Sequence, residues 1–356
     1  MMTRAMKLVL VAVALSACSG SDGPADDAFK GTVAQTLHDS MQADLQALVS
    51  NAQALQAAAP THAWNFQDPA WPDMDAAWIG VRHAYEHVEG ATAPIYGDLD
   101  VALDGRVEDY GPDGAGSLTA TSDMFGTGGM AGSHAIERIL YADPTQPYAD
   151  DFDPVHAQAV VAYEAGLGYV PPASFPTTNE QALEFKNVLC ARLVTDAQAL
   201  LAGWTVDKID VAQSYPGLTS LVNEQLSKIG DAATAQEESR YSQRVLDDMR
   251  HNMEGTAAIY TAFSPWLSAR TGHFVDLHIL SGFDDLQAVY AAQPAGVNLP
   301  PAPAGFDPDA PTDDAYGQLF TAVQALSDPE GDDSLTTRLN AGARLMHLPE
   351  FTGDDD

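Results

Sequence analysis

Positive charge is scarce in this 356-residue chain: five lysines and eleven arginines stand against 37 aspartates and 13 glutamates, a net charge of −34. So acidic a surface repels phosphate backbones and anionic headgroups, which excludes nucleic-acid binding. Cysteine is scarcer still. Cys18 and Cys190 are the only two, so no disulfide framework is available and packing must hold the fold. Cys190 lies in the apolar run Val188-Leu189-Cys190-Ala191-Arg192-Leu193, the setting of a core side chain rather than a nucleophile. Alternating β-branched runs are few, and there is neither a Ser-His-Asp signature nor a Walker-type phosphate loop. No stretch is apolar for long enough to span a bilayer; the longest, Leu8 to Leu15, is too short.

That short run follows Arg4 and Lys7 and fits the h-region of a secretory signal. It ends in Leu15-Ser16-Ala17-Cys18, which resembles the lipobox of bacterial lipoproteins, where small residues admit the signal peptidase and the cysteine thiol receives the lipid. The expectation is a signal peptide over 1–17, a lipidated Cys18 and a small polar tether over 18–27. Removing residues 1–17 takes away Arg4 and Lys7 and no acidic residue, leaving −36. Ser19 after the cysteine points to the outer membrane of a bacterial cell envelope, facing the periplasm or the cell surface.

From Phe29 onward, Ala-, Leu- and Gln-rich stretches separated by Pro and Gly clusters predict helices over 29–59, 73–96, 130–141, 154–166, 179–203, 217–230, 237–263, 273–291 and 313–327. Trp78, Val81, Tyr85 and Val88 recur at three- and four-residue spacing and mark one buried helix face. Residues 105–129 and 294–312 read as long loops. Glu89-Gly90-Ala91-Thr92-Ala93-Pro94-Ile95-Tyr96 echoes Glu254-Gly255-Thr256-Ala257-Ala258-Ile259-Tyr260 with one residue skipped, and each follows an Arg-His pair, Arg82-His83 or Arg250-His251. The expected fold is all-α: two packed helical bundles, over 28–170 and 171–350, with approximate internal pseudo-symmetry.

The ten histidines are unevenly placed. Composition alone predicts fewer than one His-x-x-Glu match, yet four occur: His83/Glu86, His134/Glu137, His251/Glu254 and His347/Glu350. On a helix, positions i and i+3 share a face, so an imidazole and a carboxylate can converge on one cation. Pro349 forbids a normal helix interior at the last pair, which reads as a solvated contact.

The pair at 134 sits in Gly132-Ser133-His134-Ala135-Ile136-Glu137, where a Gly-rich loop enters a helix. Here the chain resembles the imelysin-like family, whose signature is Gly-x-His-x-x-Glu and which includes the periplasmic iron-uptake component of the bacterial Efe system. Tyr85-Glu86-His87-Val88-Glu89, Gly97-Asp98-Leu99-Asp100 and Asp104-Gly105-Arg106 follow the family's elements in order, as do Leu221-Val222-Asn223-Glu224, Glu238-Ser239-Arg240-Tyr241-Ser242 and Asn252-Met253-Glu254-Gly255. The resemblance implies a metal site of His134, Glu137, Glu86, Glu89 and Asp104, with Glu224 as a further candidate. The Glu89-to-Asp104 spacing is one residue longer than usual, so Asp100 is an alternative, and His251 stands where the family more often has a small residue. It further implies that the metal is iron, with zinc, calcium and manganese as alternatives, and that an iron permease or other envelope uptake protein receives it. The cupredoxin domain that some members carry is absent from this sequence.

The donor chemistry agrees: one imidazole among carboxylates suits hard or borderline cations such as Fe(III), Fe(II), Mn(II) or Ca(II). Two other classes stay open. Members of the family are also regarded as metallopeptidases, and His83-Ala84-Tyr85-Glu86-His87 fits the inverted zincin pattern His-x-x-Glu-His, with Glu164 near the distance of a third ligand. The acidity by itself fits a surface adapted to high salt or an acidic interaction protein, with runs such as Asp332-Asp333 and Asp354-Asp355-Asp356 as solvated charge.

Overall fold

The computed structural model describes residues 24–106, 125, 131–166, 175–294 and 296–353. Val33, Leu37, Met41, Leu45, Leu48, Ala52 and Leu55, three or four apart, form a buried stripe along α1 (Pro24–Ala58), a helix roughly 52 Å long. The stripe packs on α2 (Trp71–Glu86) and on α8 (Cys190–Gly203). Between α2 and α8 come α3 (Glu89–Thr92), α4 (Gly97–Asp104), α5 (Gly132–Leu140), α6 (Pro154–Gly166) and α7 (Asn179–Glu184), the last continuing into α8 through a π-helical turn, Phe185–Leu189. The remaining helices are α9 (Val211–Ala232), α10 (Val245–Leu267), α11 (His273–Ala291), α12 (Ala315–Ser327) and α13 (Leu335–Met346). Among the described residues there is no strand, and no helix is long and apolar enough to cross a membrane. The fold is all-α, as expected.

α4 packs on α5 and α8, and α2 on α5; in the second half α9 packs on α10, α12 and α13. The halves join where α3 meets α9 and α10, and where α2 meets α10. One contiguous apolar core runs from Val33 to Leu348 through both. α8 lies in the segment assigned from sequence to the second bundle, yet it packs on α1, α4 and α5 of the first. The expected boundary at 170/171 lies outside the described residues, as does Cys18.

Three helix bounds differ clearly from the sequence reading. The helix expected over 73–96 ends at Glu86; the chain bends at His87 and Val88, and α3 restarts from Glu89. The helix expected from 217 begins at Val211, because Asp210 caps it by accepting from the Ala212 N–H and buried Val211 and Tyr215 anchor its first turns ahead of Pro216. The stretch 237–244 is a series of turns, with Gln243 at φ 56°, before α10 starts at Val245. α4 and α13 were not foreseen: each is short and polar on one side, and α13 depends on a Ser334 cap that accepts from the Thr337 N–H.

Candidate metal centre

Gly132, which opens α5, has φ +82°, a left-handed backbone that side-chain-bearing residues rarely adopt, and a Cβ there would lie 2.9 Å from the Leu103 carbonyl oxygen. Glycine therefore lets the start of α5 press on the end of α4, bringing His134 to Asp104. Every residue of α5 is buried, His134, Glu137 and Arg138 included. Charged groups persist there only because each is paired. Arg138 Nε donates to Glu164 Oε1 at 2.8 Å.

His134 Nδ1 donates to Glu137 Oε2 at 2.8 Å. The other oxygen, Oε1, accepts from the backbone N–H groups of Tyr241 (3.1 Å) and Ser242 (2.8 Å) and from the Ser242 hydroxyl (2.8 Å). A carboxylate so placed holds the proton on Nδ1 and turns the Nε2 lone pair into the protein. Nε2 is buried, has no hydrogen-bond partner among the described residues and lies 3.4 Å from Asp104 Oδ1. One ligand atom each from Asp104, His134 and Glu238 lie within 4.8 Å of one another.

Cationic side chains close the other side. Arg82, fully buried on α2, bonds both Asp104 and Glu86, reaches Asp248 Oδ2 at 3.2 Å and stands 3.8 Å from Glu238 Oε2. Lys228 Nζ donates to Glu238 Oε2 at 2.6 Å. Asn252 Nδ2 donates to Glu86 and, at 2.9 Å, to Glu89 Oε2. The carboxyls consequently differ. Burial raises Glu86 to about 7, with Arg82 drawing it down and Asp248 pushing it up. Burial and the neighbouring Glu86 push Glu89 well above the carboxylate range. Burial also acts to raise Glu238, but Lys228, Arg106 and Arg82 together outweigh it and hold the group well below its ordinary value. Glu238 is thus a fixed anion, whereas Glu86 and Glu89 retain protons readily.

The six residues nominated from the sequence do not share one point. His134 and Asp104 meet. Glu137 stands behind the imidazole with both oxygens engaged, an orienting rather than a ligating geometry. Glu86 is turned to Arg82 and Asn252, because the guanidinium occupies the space between Glu86 and Asp104. Glu89 and Glu224 line a cleft of about 530 Å³ together with Asp100 and Ser220, and Glu89 is tied to the buried network by Asn252, which donates to both Glu86 and Glu89. Glu224 Oε1 accepts from Ser220 Oγ there at 2.9 Å, and Asp100 accepts from the Tyr85 hydroxyl. Glu238 was not nominated, although its segment was noted; three basic partners converging on it is information that exists only in three dimensions. The inverted zincin is not assembled either. His83 is turned to Asp247 and His87 to Asp44, whereas Glu86 is turned to Arg82 and Asn252, and Glu164 is held by Arg138 and the Tyr241 hydroxyl. His347 and Glu350 are both exposed but do not meet: His347 closes α13 in a left-handed conformation and lies 3.7 Å from Asp26 Oδ2, while Glu350 pairs with Arg344.

Among solved structures, an imelysin-like protein from Psychrobacter arcticum 273-4 is similar with a TM-score of 0.58 at 11% identity, covering 92% of this chain and 98% of that one. A "putative iron-regulated protein A precursor" from Parabacteroides distasonis ATCC 8503 is similar with a TM-score of 0.58 at 18% identity, covering 92% of this chain and 97% of that one. No curated protein matches. The imelysin family model matches residues 35–341, nearly the whole folded chain, so this protein belongs to the imelysin family.

Proposed function

We propose that the chain binds a di- or trivalent metal ion, iron in the first place, as cargo at the bacterial cell envelope, and that His134 Nε2, Asp104 and Glu238 are its protein ligands. The observation that carries this reading is the buried Nε2 lone pair of His134, oriented by Glu137 and facing two carboxylates. An imidazole with two carboxylates is a donor set for iron or manganese, and equally admits zinc or calcium. The other neighbours have distinct tasks. Arg82 and Lys228 neutralise part of the acidic cluster, so that the anionic ligands can be buried while unfilled. Burial raises the Glu86 carboxyl well above its ordinary value, so its charge can follow that of the cluster. Capture and release of cargo needs this kind of adjustable anionic pocket.

Anchoring through a lipidated Cys18, delivery to an iron permease or another envelope uptake protein, and residence at the outer membrane belong to the same proposal. The similarity to a structure named for iron regulation supports iron as cargo. Elemental analysis of protein purified without added metal, followed by iron titration of the wild type and His134→Ala, tests it. Stoichiometric iron lost in His134→Ala is the expected outcome; equal iron binding by both overturns the assignment.

A further inference from the structure

α2 and α10 carry chemistry on two faces. Arg82 and Glu86 on α2, with Asp248 and Asn252 on α10, belong to the buried network. A shift of one position turns a helical side chain by about 100°. His83 on α2, His87 at its C-terminal cap, and Asp247 and His251 on α10 therefore form a second, more exposed cluster, joined by Glu254.

Its core is a close meeting of donors from different helices. His87 Nε2 lies 3.0 Å from His251 Nδ1, and Glu254 Oε2 lies 3.7 Å from each of them. Ligand atoms held about 2.1 Å from one cation are about 3.0 Å apart in octahedral and about 3.4 Å apart in tetrahedral coordination. The three separations bracket those values.

The surroundings hold the two rings in place. His87 Nδ1 lies 3.3 Å from Asp44 Oδ1, and donation to that carboxylate turns the Nε2 lone pair toward His251. The His251 ring is stacked on His83 at a centroid distance of 3.7 Å, and His83 is in turn held by Asp247 at 2.9 Å. Gly255 makes the approach possible: a Cβ there would lie 2.4 Å from both the Cα and the carbonyl oxygen of His87. About a quarter of each imidazole and over half of Glu254 are exposed, which leaves an entry path and positions for water ligands.

We propose that His87, His251 and Glu254 form a second metal site, distinct from the buried centre, for a divalent first-row transition ion of the zinc, copper or nickel kind. Two imidazoles and one carboxylate prefer such borderline ions, whereas the oxygen-richer set around His134 suits harder ones. The site does not depend on the reading of the buried centre, because it shares no ligand with it.

Zinc and cobalt titrations of the full chain in a large excess of Ca²⁺ test the proposal, using the wild type, His87→Gln, His251→Ala and His134→Ala. Zn²⁺ binding that survives Ca²⁺ and His134→Ala, but weakens at least tenfold in both His87→Gln and His251→Ala, is the expected result. Co²⁺ should give visible d–d absorption that disappears in the same two variants. Should His251→Ala fail to fold, His87→Gln alone decides. If Ca²⁺ displaces Zn²⁺ freely, the cluster is merely acidic surface; if His87→Gln leaves Zn²⁺ affinity and Co²⁺ absorption unchanged, the imidazoles share only an N–H···N hydrogen bond. Either outcome overturns the site.

Discussion

Replacing Glu137 by glutamine changes one atom's chemistry at the point where orientation and ligation separate. The wild-type carboxylate accepts three hydrogen bonds on Oε1 and one, from His134 Nδ1, on Oε2. In Glu137→Gln the amide oxygen must stay on the Oε1 side, because the opposite orientation points the NH₂ at two backbone N–H groups. The NH₂ then faces Nδ1, which has to become an acceptor, and the ring proton moves to Nε2. A protonated Nε2 cannot ligate a cation. Loss of a carboxylate partner behind a metal-binding histidine typically costs about 10- to 100-fold in affinity, and the enforced tautomer places this variant at the upper end. Stability should fall by only about 1–2 kcal/mol, since three of the four hydrogen bonds persist. Glu137→Ala, by contrast, leaves the buried Tyr241 and Ser242 N–H groups without their acceptor and should cost about 3–5 kcal/mol. Iron titration followed by tryptophan fluorescence is a suitable assay, because Trp78 Nε1 donates to the Ser133 carbonyl at 2.9 Å, one residue from His134. Wild-type iron affinity in a folded Glu137→Gln protein would refute the orientation argument.

Three further outcomes are expected. Glu86 rises from an ordinary value of 4.5 to about 7, so the native state holds more protons than the unfolded chain between those pH values and its stability contribution falls as pH rises through the window. Relative to Glu86→Gln, the metal-free wild type should therefore lose about 3 kcal/mol between pH 4.5 and pH 8 in urea denaturation; a pH-independent difference contradicts the raised carboxyl. Gly132→Ala forces a Cβ toward the Leu103 carbonyl at a left-handed φ and should lower unfolding stability by about 2–4 kcal/mol in urea, with weaker iron binding as α5 shifts from α4. Cys18→Ala should abolish labelling by a radioactive fatty acid and move the protein from the membrane to the soluble fraction of expressing bacteria; unchanged labelling rules out Cys18 as the lipid acceptor.

The all-α class was legible because it rests on local periodicity: the Val33-to-Leu55 stripe and the Trp78, Val81, Tyr85 face are written at helical spacing, and both are buried as read. The Gly-x-His-x-x-Glu signature was legible too, since its imidazole and carboxylate act within a single turn of α5, where i and i+3 meet whatever the rest of the chain does. Only tertiary packing decided which carboxylates join His134. Glu86 and Glu238 are both plausible acids in sequence, but Arg82 takes the first, while Lys228, from a helix some 140 residues beyond Arg82, keeps the second ionised beside the imidazole. The histidines show the same division. Sequence places His83 and His87 four residues apart, but only the close crossing permitted by Gly255 sets His87 against His251, because contact between helices depends on backbone approach and not on spacing along the chain.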